Sequence, residues 1–418
     1  MRNTFLLSLI IVSGLVCTAQ DTVKIDWSKD IDFLAAELPK KHINLFSGKT
    51  KTEFLAALEA IKAQADSISD LAVAIRLNQV IAGMGDSHTN MHYASLVDRK
   101  AVLPIQLYWF RDGLYVLRTT KEYSGLLEKK ILAVNGVPVQ TVIDSLSTLI
   151  TTDNEASVKS KIPSLIPIVE VLVYFGFADG LTVELQMEDS TGMSSFHKLS
   201  PSEVNKENII NVLPDSLPLC YQNQKTFFWD IYQPEQGLYY IQYNVCRSRE
   251  AEMKYGSPAR AATLPSFEEF ENRVFETLNR QPVEKLLVDI RFNTDGSSPQ
   301  GTAFVEKLAP YLNKHPETKL YVVLGRNTFS SAIINAMDFK RLTEAVFLGE
   351  STSGKPNHFG EVKSLQLPTS GILVNYSTKY FTRTKEDLKT LEPDVWLEPT
   401  FRDYIRGIDP VYEWVLSR

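Results

Sequence analysis

Three kinds of side chain in this sequence could carry out acyl transfer if they met: the hydroxyls of Ser330 and Ser331, the amine of Lys355 and the imidazole of His88. A hydroxyl attacks a carbonyl only with a base beside it and with donors aimed at the oxyanion that the attack creates. Ser330 and Ser331 follow an apolar run, Leu320 to Leu324, and the turn residues Gly325-Arg326-Asn327. They precede Ala332, Ile333, Ala336 and Met337, which recur at the spacing of one helical face. The pattern predicts a strand, a turn and a helix. A serine in such a corner lies at the positive end of the helix dipole, beside main-chain N–H groups with no helical acceptor. A second apolar run, Ala345 to Leu348, leads into Gly349-Glu350-Ser351-Thr352-Ser353-Gly354-Lys355, a loop that would return Lys355 over the first strand's end in a parallel sheet. A free lysine titrates near ~10.4, so burial must destabilise its ammonium before it can act as a base near neutral pH. The plainer reading is a capping serine and a surface lysine in a glycine loop.

These turns need strands to hold them. Gly237 to Tyr243, Lys285 to Ile290 and the two runs above read as strands, with a helix over Phe267 to Leu278 marked by Phe267, Phe270, Val274 and Leu278. Alternating strands and helices predict a mainly parallel sheet with crossover helices, and ligands in such sheets bind outside the carboxyl ends of the strands. Ahead of this region, Trp27 to about Met84 shows helical periodicity in three runs, the last delivering His88 after Gly83-Met84-Gly85. From Leu103 to about Leu199 the period becomes strand-like, with Ile105, Leu107 and Trp109 alternating before an Asp112-Gly113 turn. Ser200 to Leu219, interrupted by Pro201, Pro214 and Pro218, reads as a linker.

The motifs resemble those of carboxyl-terminal processing (tail-specific) serine proteases, a family that includes the tricorn core protease and the interphotoreceptor retinoid-binding proteins. The resemblance rests on Thr328-Phe329-Ser330-Ser331-Ala332, on Gly349-Glu350 through Thr352, Gly354, Lys355, Pro356 and Asn357, on Leu287 to Gly296, and on Gly85-Asp86-Ser87-His88-Thr89. It implies Ser330 as nucleophile, Lys355 as general base, and the N–H groups of Gly296 and Ser331 as the oxyanion hole. In the tricorn-like branch a histidine and a glutamate assist the serine, so His88 competes with Lys355 for the base. The turn reads Asn293-Thr294-Asp295-Gly296 where the family usually has Asn-Pro-Gly-Gly, and Ile333 stands where many members carry Glu. No residue is singled out to orient the base beyond Glu350 and Glu361. Glu392 and Asp394 read as structural braces, and Phe329, Phe359, Tyr380 and Phe381 as core residues that could line a cleft.

The implied fold is α/β: a crotonase-like or ClpP-like catalytic domain over 225–418, a helical cap over 20–98, a β-rich PDZ-like module over 99–200 and a linker over 201–224. Leu127 to Val139, with its Asn135-Gly136 turn, carries the PDZ resemblance. The implied partner is a peptide or protein substrate, with no cofactor. Rival readings on the same fold are a carrier of apolar ligands and a hydrolase of a non-peptide ester or amide. At 418 residues, a formal charge of −6 and 44% hydrophobic residues, the chain has length for several domains and lacks the basic face that nucleic acid requires. His88 and His92 are four apart without an adjacent Glu, which does not make a zinc motif. Met1-Arg2-Asn3, the apolar run Phe5 to Val16 and Cys17-Thr18-Ala19 read as a signal peptide over 1–19, shorter than the ~20 apolar residues of a membrane span. That predicts export to the periplasm or beyond without stable membrane insertion. Cys17 offers a lipoprotein alternative, and Cys220 and Cys246 remain as one possible disulfide.

Overall fold

The computed structural model describes residues 24–418, so the expected signal segment lies outside the described residues. Helices Trp27–Lys41, Lys51–Lys62 and Asp70–Ala82 open the chain, each started by a side chain that accepts a backbone N–H: Asp26, Thr50 and Ser69. Thr50 and Glu53 complete a capping box, satisfying two donors that the helix itself leaves free. The buried faces of these helices meet in one core with residues from the far end of the chain, Leu365, Val374 and Tyr376. The cap is therefore fused to the C-terminal region. A short strand, β1 (Asn90–Met91), follows the third helix.

Strands β2 (Ile105–Phe110), β3 (Gly113–Thr120), β4 (Lys130–Val134), β5 (Val137–Pro138), β6 (Val183–Glu188), β7 (Ser194–Leu199) and β8 (Ile209–Asn211) build an antiparallel sheet ordered β2-β3-β4-β6-β7, with β5 on β4 and β8 on β3. Asn135 and Gly136 turn β4 into β5 with φ of 46° and 77°, as a tight hairpin requires. Helices Val139–Ser147 and Glu155–Leu165 contribute to this sheet's core. The stretch expected as linker thus supplies a strand: Ile209 and Ile210 pair with Thr120 and Thr119, an apolar pair that the flanking prolines obscured.

β9 (Phe228–Gln233), β10 (Leu238–Tyr243), β11 (Lys285–Asp289), β12 (Lys319–Leu324) and β13 (Val346–Gly349) form the main sheet with β16 (Val395–Trp396), after an intervening hairpin, β14 (His358–Gln366) and β15 (Leu373–Phe381). The order is β16-β13-β12-β11-β10-β9, parallel throughout except where β9 meets β10. Side chains alternate between two cores. Ile241, Leu286, Val288, Val322 and Leu324 face the crossover helices Phe267–Arg280, Ser298–Lys314 and Ser331–Leu342. Leu238, Tyr240, Leu287, Tyr321, Val323 and Leu348 face Val411 and Val415 of helix Pro410–Leu416. Because β11, β12 and β13 are adjacent and parallel, the turns carrying Gly296, Ser330 and Lys355 all leave the same edge of the sheet. Among the described residues no helix is long and apolar enough to cross a membrane.

Candidate active site

The turn after β12 holds Ser330 at φ 53° and ψ −116°. That region suits glycine and is sterically costly for a residue with a Cβ. Ser330 precedes the helix in the cap position, yet its hydroxyl makes no capping bond. Its neighbours pin the turn to the segment after β11: Phe329 N–H donates to Asn293 O at 3.1 Å, and Thr328 Oγ1 donates to Ile290 O at 3.0 Å. Ser331 Oγ donates to Gly296 O at 2.6 Å, so the two sequence-derived oxyanion residues are brought together. Gly296 has φ 121°, and a Cβ there would lie 2.1 Å from Cys246 O. The segment is locked by Cys246 N–H to Asp295 O, 3.0 Å, and Ser297 N–H to Cys246 O, 2.6 Å, bonds that leave the Gly296 N–H uncommitted. Cys246 and Cys220 are both buried and unpaired.

His88 arrives from the helical cap through Gly85, whose φ is 85°. Its ring stacks on Phe329, the residue before Ser330, at 4.4 Å between centroids, with His358 at 5.7 Å. It is 8% exposed, and neither ring nitrogen has a hydrogen-bond partner. Burial, with lesser opposition from His358 and Lys161, pushes its pKa down to about 4 against the pull of Asp86, which makes it neutral at pH 7. Burial would raise the pKa of Asp86 itself, but hydrogen bonds from His42, Ser377, Thr89 and the His88 N–H outweigh it and hold the carboxyl at about 2. Asp153, bonded by Ser87 Oγ at 2.6 Å, is driven by burial up to about 6.

Lys355 lies on the loop after β13, and that loop lies against the Ser330 turn: a Cβ on Gly354 would stand 3.0 Å from Phe329 and 3.1 Å from Ile333. Its ammonium is 3.5 Å from Asp387 Oδ1. The two glutamates considered as orienting groups are elsewhere. Glu350 binds Arg326 at 2.7 Å, and exposed Glu361 faces Lys379 at 3.7 Å. Each is claimed by a nearer cation than Lys355. Glu392 accepts from Ser351, and Asp394 accepts from Phe347 N–H at 2.8 Å, so both act as braces. Lys355, Asp387, Phe359, Tyr380 and Ile43 line an open cleft of about 460 Å³ that Gly85 also borders. Sequence reasoning missed His42, Asp153 and Asp387, which carry no local signal. Asp86 stood inside a flagged motif without a role.

The fold so built is similar to known structures. It superposes on mature CPAF complexed with lactacystin with a TM-score of 0.61 and 13% identity, over 94% of this chain and 99% of that one. A second structure of mature CPAF gives 0.59 and 13%, over 93% and 95%. The photosystem II D1 C-terminal processing protease is also a neighbour, at a TM-score of 0.39 and 14% identity over 92% and 98%. The CPAF superpositions establish a shared fold, mixed helix and sheet. Comparison of the sequence with family models and with curated proteins gives no match.

Proposed function

We propose that this chain is a serine peptidase of the tail-specific type, cleaving peptide bonds by acyl transfer from Ser330. The observation that carries the reading is His88: buried, with both nitrogens free, and stacked on the residue next to a strained serine whose hydroxyl is uncommitted, while burial holds its pKa below the ordinary histidine value. The resemblance in the motifs favours Lys355 as base, but the group its amine faces is the exposed carboxylate of Asp387, at 3.5 Å. In this mechanism His88 takes the Ser330 proton as the hydroxyl adds to the scissile carbonyl, and returns it to the leaving amine. The N–H groups of Gly296 and Ser331 receive the tetrahedral oxyanion; a comparable donor contributes about 3 kcal/mol to the transition state in other hydrolases. Water then repeats the sequence on the acyl-enzyme. The β2–β8 sheet as a PDZ-like module, the crotonase-like or ClpP-like descent of the main sheet, and export belong to the same proposal.

A fluorophosphonate probe tests it directly, because the probe esterifies only an activated serine. Labelling is expected in the intact protein, absent in Ser330→Ala, and lost in His88→Ala while Lys355→Ala retains it. A folded protein that takes no label points to the carrier reading. Loss confined to Lys355→Ala returns the base to lysine.

A further inference from the structure

We propose that Asp86 is the positioning residue of His88, a carboxylate fixed by nearby Thr89 and by two distant parts of the chain, at His42 and Ser377, beside the imidazole. The proposal rests on the reading of His88 as base. One oxygen of Asp86 is fully occupied: Oδ2 accepts from His42 Nε2 at 2.9 Å, Thr89 Oγ1 at 2.5 Å and Ser377 Oγ at 2.6 Å. The other, Oδ1, accepts the His88 N–H at 2.8 Å and lies 3.8 Å from His88 Nδ1. The His42 tautomer is set as well, since its Nδ1 accepts from Asn44 N–H at 3.0 Å and leaves Nε2 to donate. Three donors on Oδ2 stop the carboxylate from rotating and hold Oδ1, with acceptor capacity to spare, 3.8 Å from Nδ1.

When a proton from Ser330 reaches Nε2, the imidazolium presents Nδ1–H to that oxygen, and closing to about 3 Å makes a charge-assisted hydrogen bond. Asp86 cannot itself take the proton near neutral pH, because its four hydrogen bonds hold it ionised. The other charges bearing on the ring, His358 and Lys161, oppose protonation, so Asp86 alone among these groups favours it. Asp153 accepts from Ser87, the residue before His88, and makes no bond to the ring.

Histidine-labelled NMR titration of the full chain in the Ser330→Ala background, paired with fluorophosphonate labelling rates in the Ser330 protein, separates this from a purely structural role. Asp86→Asn removes the charge, so the His88 midpoint should fall and the labelling rate at pH 7 should drop on the order of 100-fold or more. Ser377→Ala removes a donor and keeps the charge, so the carboxylate attracts the proton more strongly and the His88 midpoint should rise. General loosening would move both variants the same way. A His88 midpoint unmoved by Asp86→Asn, or displaced in one direction by both changes, overturns the proposal. If Asp86→Asn does not fold, a midpoint that stays or falls in Ser377→Ala overturns it. Wild-type labelling in His88→Ala is a different outcome: it removes His88 as base and with it any positioning role for Asp86, whereas the NMR midpoints report the pairing without catalysis.

Discussion

At the scale of single residues, the site is marked by two places where side-chain chemistry runs against local comfort. Ser330 carries a Cβ at φ 53°, ψ −116°, a conformation glycine adopts freely, and such strain costs of order 1–3 kcal/mol. His88 buries two polar nitrogens without partners, which also disfavours the fold. Strain of this kind persists where the surrounding structure over-determines it, and it clusters at active sites. Ser330→Gly should therefore raise the melting temperature while abolishing fluorophosphonate labelling, whereas Ser330→Ala abolishes labelling without that gain because it keeps the Cβ. Thermal denaturation of the two variants side by side reads the difference. Equal melting temperatures would mean that the turn holds no strain for glycine to relieve.

At the scale of elements, the loops of the site are held by the antiparallel sheet's own helix. Asn154, the cap of helix Glu155–Leu165, accepts Ser157 N–H at 3.2 Å and donates through Nδ2 to Thr352 O, Ser353 O and Lys389 O at 3.0, 3.2 and 2.8 Å. Ser160 of that helix donates to Asn327 at 2.5 Å, and Lys159 pairs with Glu398, which also binds Arg326. One helix thus braces both the turn before Ser330 and the loop before Lys355. Asn154→Asp keeps the cap but replaces the amide donors with a carboxylate facing three carbonyls. We expect the helix to stay and the labelling rate to fall roughly 10- to 100-fold, since small displacements of a reacting group cost that much. An unchanged rate would show that the loop's position does not matter to Ser330.

The same contrast explains what was legible in the sequence. Strand-turn-helix punctuation is local, so the turns at Gly296, Ser330 and Lys355 and their shared sheet edge could be read from glycines, small polar residues and apolar periods. The clamp by Asn154 joins residues far apart in the chain and leaves no such trace, and neither does the ion pair of Lys355 with Asp387. The β8 strand was hidden for a related reason: its pairing with β3 is decided by the partner strand, while the prolines on either side of it signal a break.

At the scale of the whole molecule, Asp86 joins the first helix, through His42, to the third helix's exit and to β15, through Ser377. Acid should destabilise the fold around that joint in two successive steps. His88, with a folded pKa of about 4 against an ordinary 6.5, binds a proton more readily when unfolded, so its contribution is present above pH 6.5 and is lost as pH falls toward 4. Asp86, at about 2 against 3.8, contributes above pH 3.8 and loses that contribution as pH falls through about 2. At 1.36 kcal/mol per pKa unit these are about 3 and about 2 kcal/mol, both of the same sign and large beside a typical stability of about 5–15 kcal/mol. Asp153, with a folded pKa of about 6 against an ordinary 3.8, binds its proton more readily when folded and works in the opposite sense over the same window, so the His88 contribution is read from the difference between two proteins. His88→Phe, which keeps an aromatic ring against Phe329 and cannot titrate, should gain in melting temperature relative to the intact protein as pH falls from 6.5 to 4, while keeping the lower, Asp86-dependent fall. Parallel curves for the two proteins over the upper window would show that His88 is not the group responsible.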